Sequence, residues 1–156
     1  PTPPPPATAT PLPRTVPMGH EFQVSVWGLK LYDVKKTRVV YWFSSGEVAT
    51  GMWLIPFVEF RNLGTGTAAP HHNLDFYLID AAGRTFDFDP FGGHVRGAAR
   101  QFQAGHLYDD INPGLVLGIA LPFDVPGDLG DVWLRVKQDS NFALYLGNVS
   151  EMPEYK

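Results

Sequence analysis

This sequence predicts an all-β fold: an antiparallel β-sandwich with one short helical insertion and an extended N-terminal arm. Three observations carry the prediction. Apolar residues alternate with polar ones in short runs, the pattern of strands with one face buried. Gly, Pro, Asn and Asp collect between those runs as turn signals. Eight of the fifteen prolines lie in the first seventeen residues, PTPPPPATATPLPRTVP, which therefore precede the sandwich instead of joining it.

The arm comes first. Each proline fixes φ and removes a backbone donor, so residues 1–17 are expected to run as extended polyproline II at about 3.1 Å per residue. Such a segment holds a domain roughly 50 Å from an anchor. Thr/Pro-rich stalks of this kind separate exported domains from a membrane or wall. The expected organisation is an arm over 1–17 and one domain over 18–156. Because the chain starts at Pro1 and not at Met, a removed signal or lipid-anchored segment upstream is expected to have left no trace.

The strands follow in order. Phe22, Val24 and Val26 alternate with Gln23 and Ser25, then Gly28 interrupts and Leu29, Leu31 and Val34 resume. Val39 to Phe43 is β-branched and aromatic, a strand by propensity, closed by Ser44-Ser45-Gly46. Met52 to Phe60 is the next strand, with Val58 and Phe60 inward. Asn62 to Gly66 is a loop. Leu74 to Ile79 and Arg84 to Phe88 form a hairpin around Asp80-Ala81-Ala82-Gly83. Residues 91–107 differ: Val95, Ala98, Ala99 and Phe102 sit at helical spacing between glycines, which predicts one short helix. Asn112-Pro113-Gly114 is a turn. Leu115, Leu117, Ile119, Leu121 and Phe123 then share one face of a single strand. Val132, Leu134 and Val136 alternate with outward Trp133, Arg135 and Lys137, and Phe142 to Leu146 makes the last strand.

Composition narrows the function. Twelve Lys and Arg stand against sixteen Asp and Glu, for a net charge of −4, with no basic run to follow a nucleic-acid backbone. No apolar segment approaches the ~18 residues of a membrane span. There is no cysteine, which removes disulfide scaffolds, thiolate metal sites and cysteine nucleophiles. A domain of this length buries enough surface to fold without such staples.

Three stretches resemble a family of exported bacterial domains of unknown function that includes a mycobacterial secreted immunogenic antigen. They are Val58-Glu59-Phe60-Arg61-Asn62-Leu63-Gly64; Phe76 through Phe86 with its Asp80-to-Gly83 turn; and Pro113-Gly114 through Phe123-Asp124-Val125-Pro126. The resemblance implies an immunoglobulin-like sandwich, export, and in many members a lipid anchor followed by a Thr/Pro linker. It implies no catalytic residue. The sequence departs from the family's pattern at Val39 to Phe43 and in the 91–107 insertion, where a specialised function is expected.

The aromatics are the leading site candidates. Trp53, Ile55 and Phe57 share one face of their strand while Met52, Leu54 and Val58 share the other; Tyr41 and Phe43 likewise oppose Val40 and Trp42. A sandwich strand needs only one apolar face. The second face requires a cover: the insertion, the arm or another chain. Pro56 marks an edge strand or a bulge. The expected site is a protein-binding face of Tyr41, Trp42, Trp53, Ile55 and Phe57, with Pro3, Pro4, Pro5 and Pro6 as a docking arm that reaches another copy or another envelope protein. The expected function is therefore a non-enzymatic extracellular interaction or structural module with no cofactor. The alternative is a small-ligand or metal-binding domain using His71, His72, Asp75 and His94, since imidazole and carboxylate suit zinc. The weakest reading is an enzyme with an unrecognised carboxylate site. Asn148-Val149-Ser150 fits a glycosylation sequon.

Overall fold

The computed structural model describes residues 2–4, 14–42 and 45–155, without the side chains of Trp42, Ser45 and Glu47. Its strands are β1 (Arg14–Val16), β2 (Phe22–Val24), β3 (Trp27–Trp42), β4 (Ser45–Asn62), β5 (Phe76–Asp80), β6 (Thr85–Asp87), β7 (Val116–Ala120), β8 (Phe123–Val125), β9 (Asp131–Val136) and β10 (Asp139–Asn148). The helix α1 (Gly93–Gln101) lies between β6 and β7. The strands form two facing sheets, the first in the order β1-β10-β9-β5-β6 and the second in the order β2-β3-β4-β7, with β8 also on β4. The predicted β-sandwich with one short helix is what the chain forms.

The core is the meeting of the two inner faces. Leu29 and Leu31 of β3 and Leu54, Val58 and Phe60 of β4 are fully buried against Phe76, Leu78, Val132, Leu134 and Leu144 of the first sheet. Phe60 stands edge-on between Trp27 and Phe76, with ring centroids 6.1 and 5.8 Å away, a preferred aromatic geometry. Each such side chain contributes about 1.5–3 kcal/mol by leaving water. Asn62 ends β4 and orders the loop after it. Its amide nitrogen donates to the carbonyls of Gly66 and Ile111, and its oxygen accepts from the Gly64 N–H.

Five details correct the sequence reading. The arm does not end at residue 17 as a separate segment: Arg14, Thr15 and Val16 pair in parallel with Phe142, Ala143 and Leu144, and Val16 is buried. These three residues between Pro13 and Pro17 keep their N–H groups, so they can join a ladder. The first turn falls at Ser25-Val26, where Ser25 takes φ 54°, so Val26 is exposed and Gly28 continues β3. Residues 29–34 and 39–42 belong to one strand, bent by register shifts between Leu31 and Asp33 and between Thr37 and Val39.

The other two concern prolines. β4 is a central strand, paired with β3 on one side and with β7 and β8 on the other. Pro56 is tolerated there because it falls where the opposite ladder passes from β7 to β8. Residues 115–123 do not make one strand, since Pro122 removes a donor and splits the run into β7 and β8. Leu115, placed inward by the alternation, is 58% exposed.

Candidate functional site

The outer face of the second sheet carries the residues that the two-sided pattern singled out. α1 lies across it. Val40, Trp53, Ile55, Phe57, Ala98 and Ala120 form a second core, with Phe102 and Ala104 packed on it. Trp53, Ile55 and Phe57 are 6%, 0% and 3% exposed. The cover is therefore the chain's own insertion, and these three residues are not an open docking face. Their apolarity serves to seat α1.

Local chemistry explains why the helix seats where it does. Gly97 packs directly against the backbone of β3: a Cβ there would sit 2.6 Å from the Tyr41 carbonyl oxygen. Gln101, one turn later, accepts from the Tyr41 N–H at 2.9 Å, and its amide nitrogen reaches the Val39 carbonyl at 3.5 Å. At the other end of α1, the His94 ring stacks on Trp53 at 4.8 Å, and His94 Nε2 is 3.1 Å from the Asp89 carbonyl. Phe102 closes the far side, edge-on to Phe57 at 5.5 Å and to Tyr155 at 5.0 Å.

What remains exposed surrounds the helix. Tyr41 is 53% exposed, Val48 73% and Phe91 89%. Phe91 stands on the Asp89-Pro90-Phe91-Gly92 turn, which is pinned by a hydrogen bond from the Phe91 N–H to the Asp89 carboxylate. Val48 and Phe91 were not selected from the sequence. Phe91 was legible as a lone aromatic between Pro90 and Gly92 that falls outside the helical spacing. Pro3 and Pro4 are exposed, whereas Pro5, Pro6 and Phe43 lie outside the described residues, as does the side chain of Trp42.

Two clefts flank this rim. One, of about 370 Å³, lies between the insertion and the edge of the first sheet, lined by His71, Phe88, Phe91 and Tyr108 with Asp87 and Lys137 at its mouth. The His71 ring lies 3.8 Å from His72 and 4.5 Å from Tyr108. Tyr108 is held by a bond from its hydroxyl to the Pro90 carbonyl at 2.5 Å. The other cleft, of about 400 Å³, brings His94 near Asp87, Asp89 and Asp124. Asp124 already accepts from the N–H groups of Thr50 and Gly51.

The structure does not assemble the proposed zinc ligands. His71 and His72 lie side by side in a 3-10 turn, Pro70–His72, with their rings tilted 39° to each other. The Asp75 carboxylate accepts from Gln138. His94 sits in the other cleft. Among the described residues no three His, Asp or Glu side chains converge as a metal site. The nearby His106 has its pKa lowered, chiefly by burial and also by Arg96, against an opposing pull from Asp109.

No family model matches this chain, and no curated protein matches it either. Solved structures do share its fold. An uncharacterized β-sandwich protein from Clostridium difficile superposes with a TM-score of 0.62 at 13% identity, covering 90% of this chain and 99% of its own. A conserved hypothetical protein from Bacillus anthracis gives 0.60 at 11% identity, over 83% and 93% of the two chains. A secreted protein of Mycobacterium tuberculosis, MPT63, gives 0.55 at 17% identity, over 87% and 99%. At these identities the likeness is one of fold.

Proposed function

We propose that this chain is a non-enzymatic, exported interaction module that assembles through its Pro-rich arm, with the apolar rim around α1 as the landing surface for the arm of another copy. The observation that carries the reading is Phe91, almost wholly exposed on a pinned turn, with Tyr41 and Val48 exposed around the same helix. Large apolar side chains held in water on one rim favour contact with a partner. Proline-rich segments dock on aromatic surfaces because their extended form is already set before binding. Pro3 and Pro4 are exposed. The likeness to a secreted protein supports export. The carboxylates beside the helix support a binding role over catalysis, because Asp89 and Asp124 are engaged by backbone N–H groups.

Sedimentation of the native chain, of a deletion of residues 1–13 that retains β1, and of Phe91→Ser tests this. Self-association that is concentration-dependent in the native chain and lost in both variants is the expected result. If the native chain stays monomeric across the concentration range, the assembly reading fails.

A further inference from the structure

The opposite side of the molecule carries a different surface. β9 and β5 turn alternate residues outward, and the register sets Trp133 beside Ile79, and Arg135 beside Tyr77. Tyr145 of β10 stands opposite Trp133, with ring centroids 5.6 Å apart. Its hydroxyl donates to Asp131 at 2.6 Å, which fixes the ring. Between these tall side chains lies Ala143, too short to fill the space. The result is a hollow of about 450 Å³ floored by Ala143 and walled by Trp133, Arg135, Ile79, Thr15, Ala81 and Asp80, whose carboxylate is paired with Arg84. Its volume lies within the range of small-ligand sites, roughly 300–1,000 Å³.

Arg135 is unusual within it. Its guanidinium lies over the Tyr77 ring at 6.0 Å, and Nη2 donates to the Ser140 carbonyl at 2.9 Å. Nε is buried without an acceptor, and among the described residues no carboxylate pairs with the side chain. By contrast Arg84 is paired with Asp80, and Arg61 with Glu21. With Nε buried and Nη2 donating to Ser140, the guanidinium presents its unpaired charge and its remaining Nη N–H groups to a planar oxyanion, carboxylate above all.

We propose that this face binds an acidic sugar: a hexuronate ring stacked on Trp133 with its carboxylate on Arg135. Asp80 is compensated by Arg84, so Arg135 carries the uncompensated charge of the hollow, and charge complementarity selects an anion. It also argues against the chain's own arm as the occupant, since residues 1–13 carry no acidic side chain. The sheet geometry selects a sugar over an acidic peptide. On a sheet face the backbone N–H and C=O groups are spent in the ladders, so an incoming peptide backbone would be desolvated without replacement bonds. A pyranose ring lays its C–H face on an aromatic ring and keeps its hydroxyls at the solvated rim. This site lies on the sheet opposite α1, and its fate is independent of the assembly reading.

The test is titration of the native chain with polygalacturonate, alginate and hyaluronate, followed by tryptophan fluorescence and calorimetry. Methyl-esterified polygalacturonate, dextran and poly-glutamate serve as comparators. Binding of at least one polyuronate with a change in tryptophan emission is expected, weakened tenfold or more by esterification. Arg135→Gln should lose tenfold or more, and Arg135→Lys should fall between, since it keeps the charge without the planar guanidinium. The esterification arm needs no variant and holds even if a substitution harms folding. Failure to bind all three polyuronates overturns the proposal. Equal binding of acid and ester overturns the role of Arg135. Binding of poly-glutamate in preference to the sugars reassigns the face to an acidic protein and overturns it as well.

Discussion

Trp53 and Trp133 both point outward from a central strand of their sheet, and the molecule treats them oppositely. Trp53 is sealed beneath α1, stacked on His94, and counts as core. Among the described residues no helix covers Trp133, which shares a half-open hollow with Arg135. The neighbours explain the difference. Trp53 is followed on the same face by Ile55 and Phe57, three apolar residues that water would penalise together. Trp133 is followed by Arg135 and Lys137, whose charges need solvent or an anion. An outward aromatic therefore reads as core or as surface according to the next residues on its own face.

Substitutions at the two tryptophans and their surroundings break or sharpen this contrast. Trp53→Ala is expected to cost about 3–5 kcal/mol of stability, measured by denaturant unfolding, as for other large-to-small core changes. Gly97→Ala is expected to cost about 1–3 kcal/mol, because its Cβ would strike the Tyr41 carbonyl and a backbone cannot swing aside as a side chain can. Gln101→Ala should cost about 0.5–1.5 kcal/mol through loss of the bond to the Tyr41 N–H. Trp133→Ala should cost about 1 kcal/mol, because the ring is only half-buried. A cost at Trp133 equal to that at Trp53 would mean that both faces are core.

Acid supplies the gentlest probe. Burial works against ionising Asp80, but hydrogen bonds from the Arg84 side chain and backbone and from the Ala82 N–H outweigh it and hold the carboxyl below its ordinary range. A depressed folded pKa contributes stability above the unfolded value, about 3.9, and loses it as pH falls through the folded value. The acid limb of the stability curve should therefore flatten in Asp80→Asn, with little change on the α1 side of the molecule.

Much of the fold is legible in the residues, and the exceptions have physical causes. Alternation places Val132, Leu134 and Val136 inward because a period of two maps directly onto a half-buried strand. The spacing of Val95, Ala98 and Ala99 marks α1, and all three are buried. Alternation says nothing of where a ladder breaks, so Pro122 passes unnoticed inside an otherwise apolar run. Composition misplaces Arg14–Val16, since prolines on both sides hide three residues that still donate hydrogen bonds. For the site, the two-sided apolarity of β4 shows that something must cover it. Which segment does so depends on Gly97 and Gln101 meeting β3, contacts between residues about sixty positions apart. Arg135 is visible as an outward cation, but its missing partner shows only once the neighbouring strands are in place.

Gln101 has a consequence for the edge of the second sheet. The far end of β3 runs beyond its pairing with β2, leaving a backbone rim of the kind that recruits stray strands into aggregates. One side-chain amide sits on that rim, answering the donor of Tyr41 and approaching the acceptor of Val39 as a neighbouring strand would. The helix thus supplies a strand one residue long. A foreign strand that meets that edge finds the Tyr41 donor already taken.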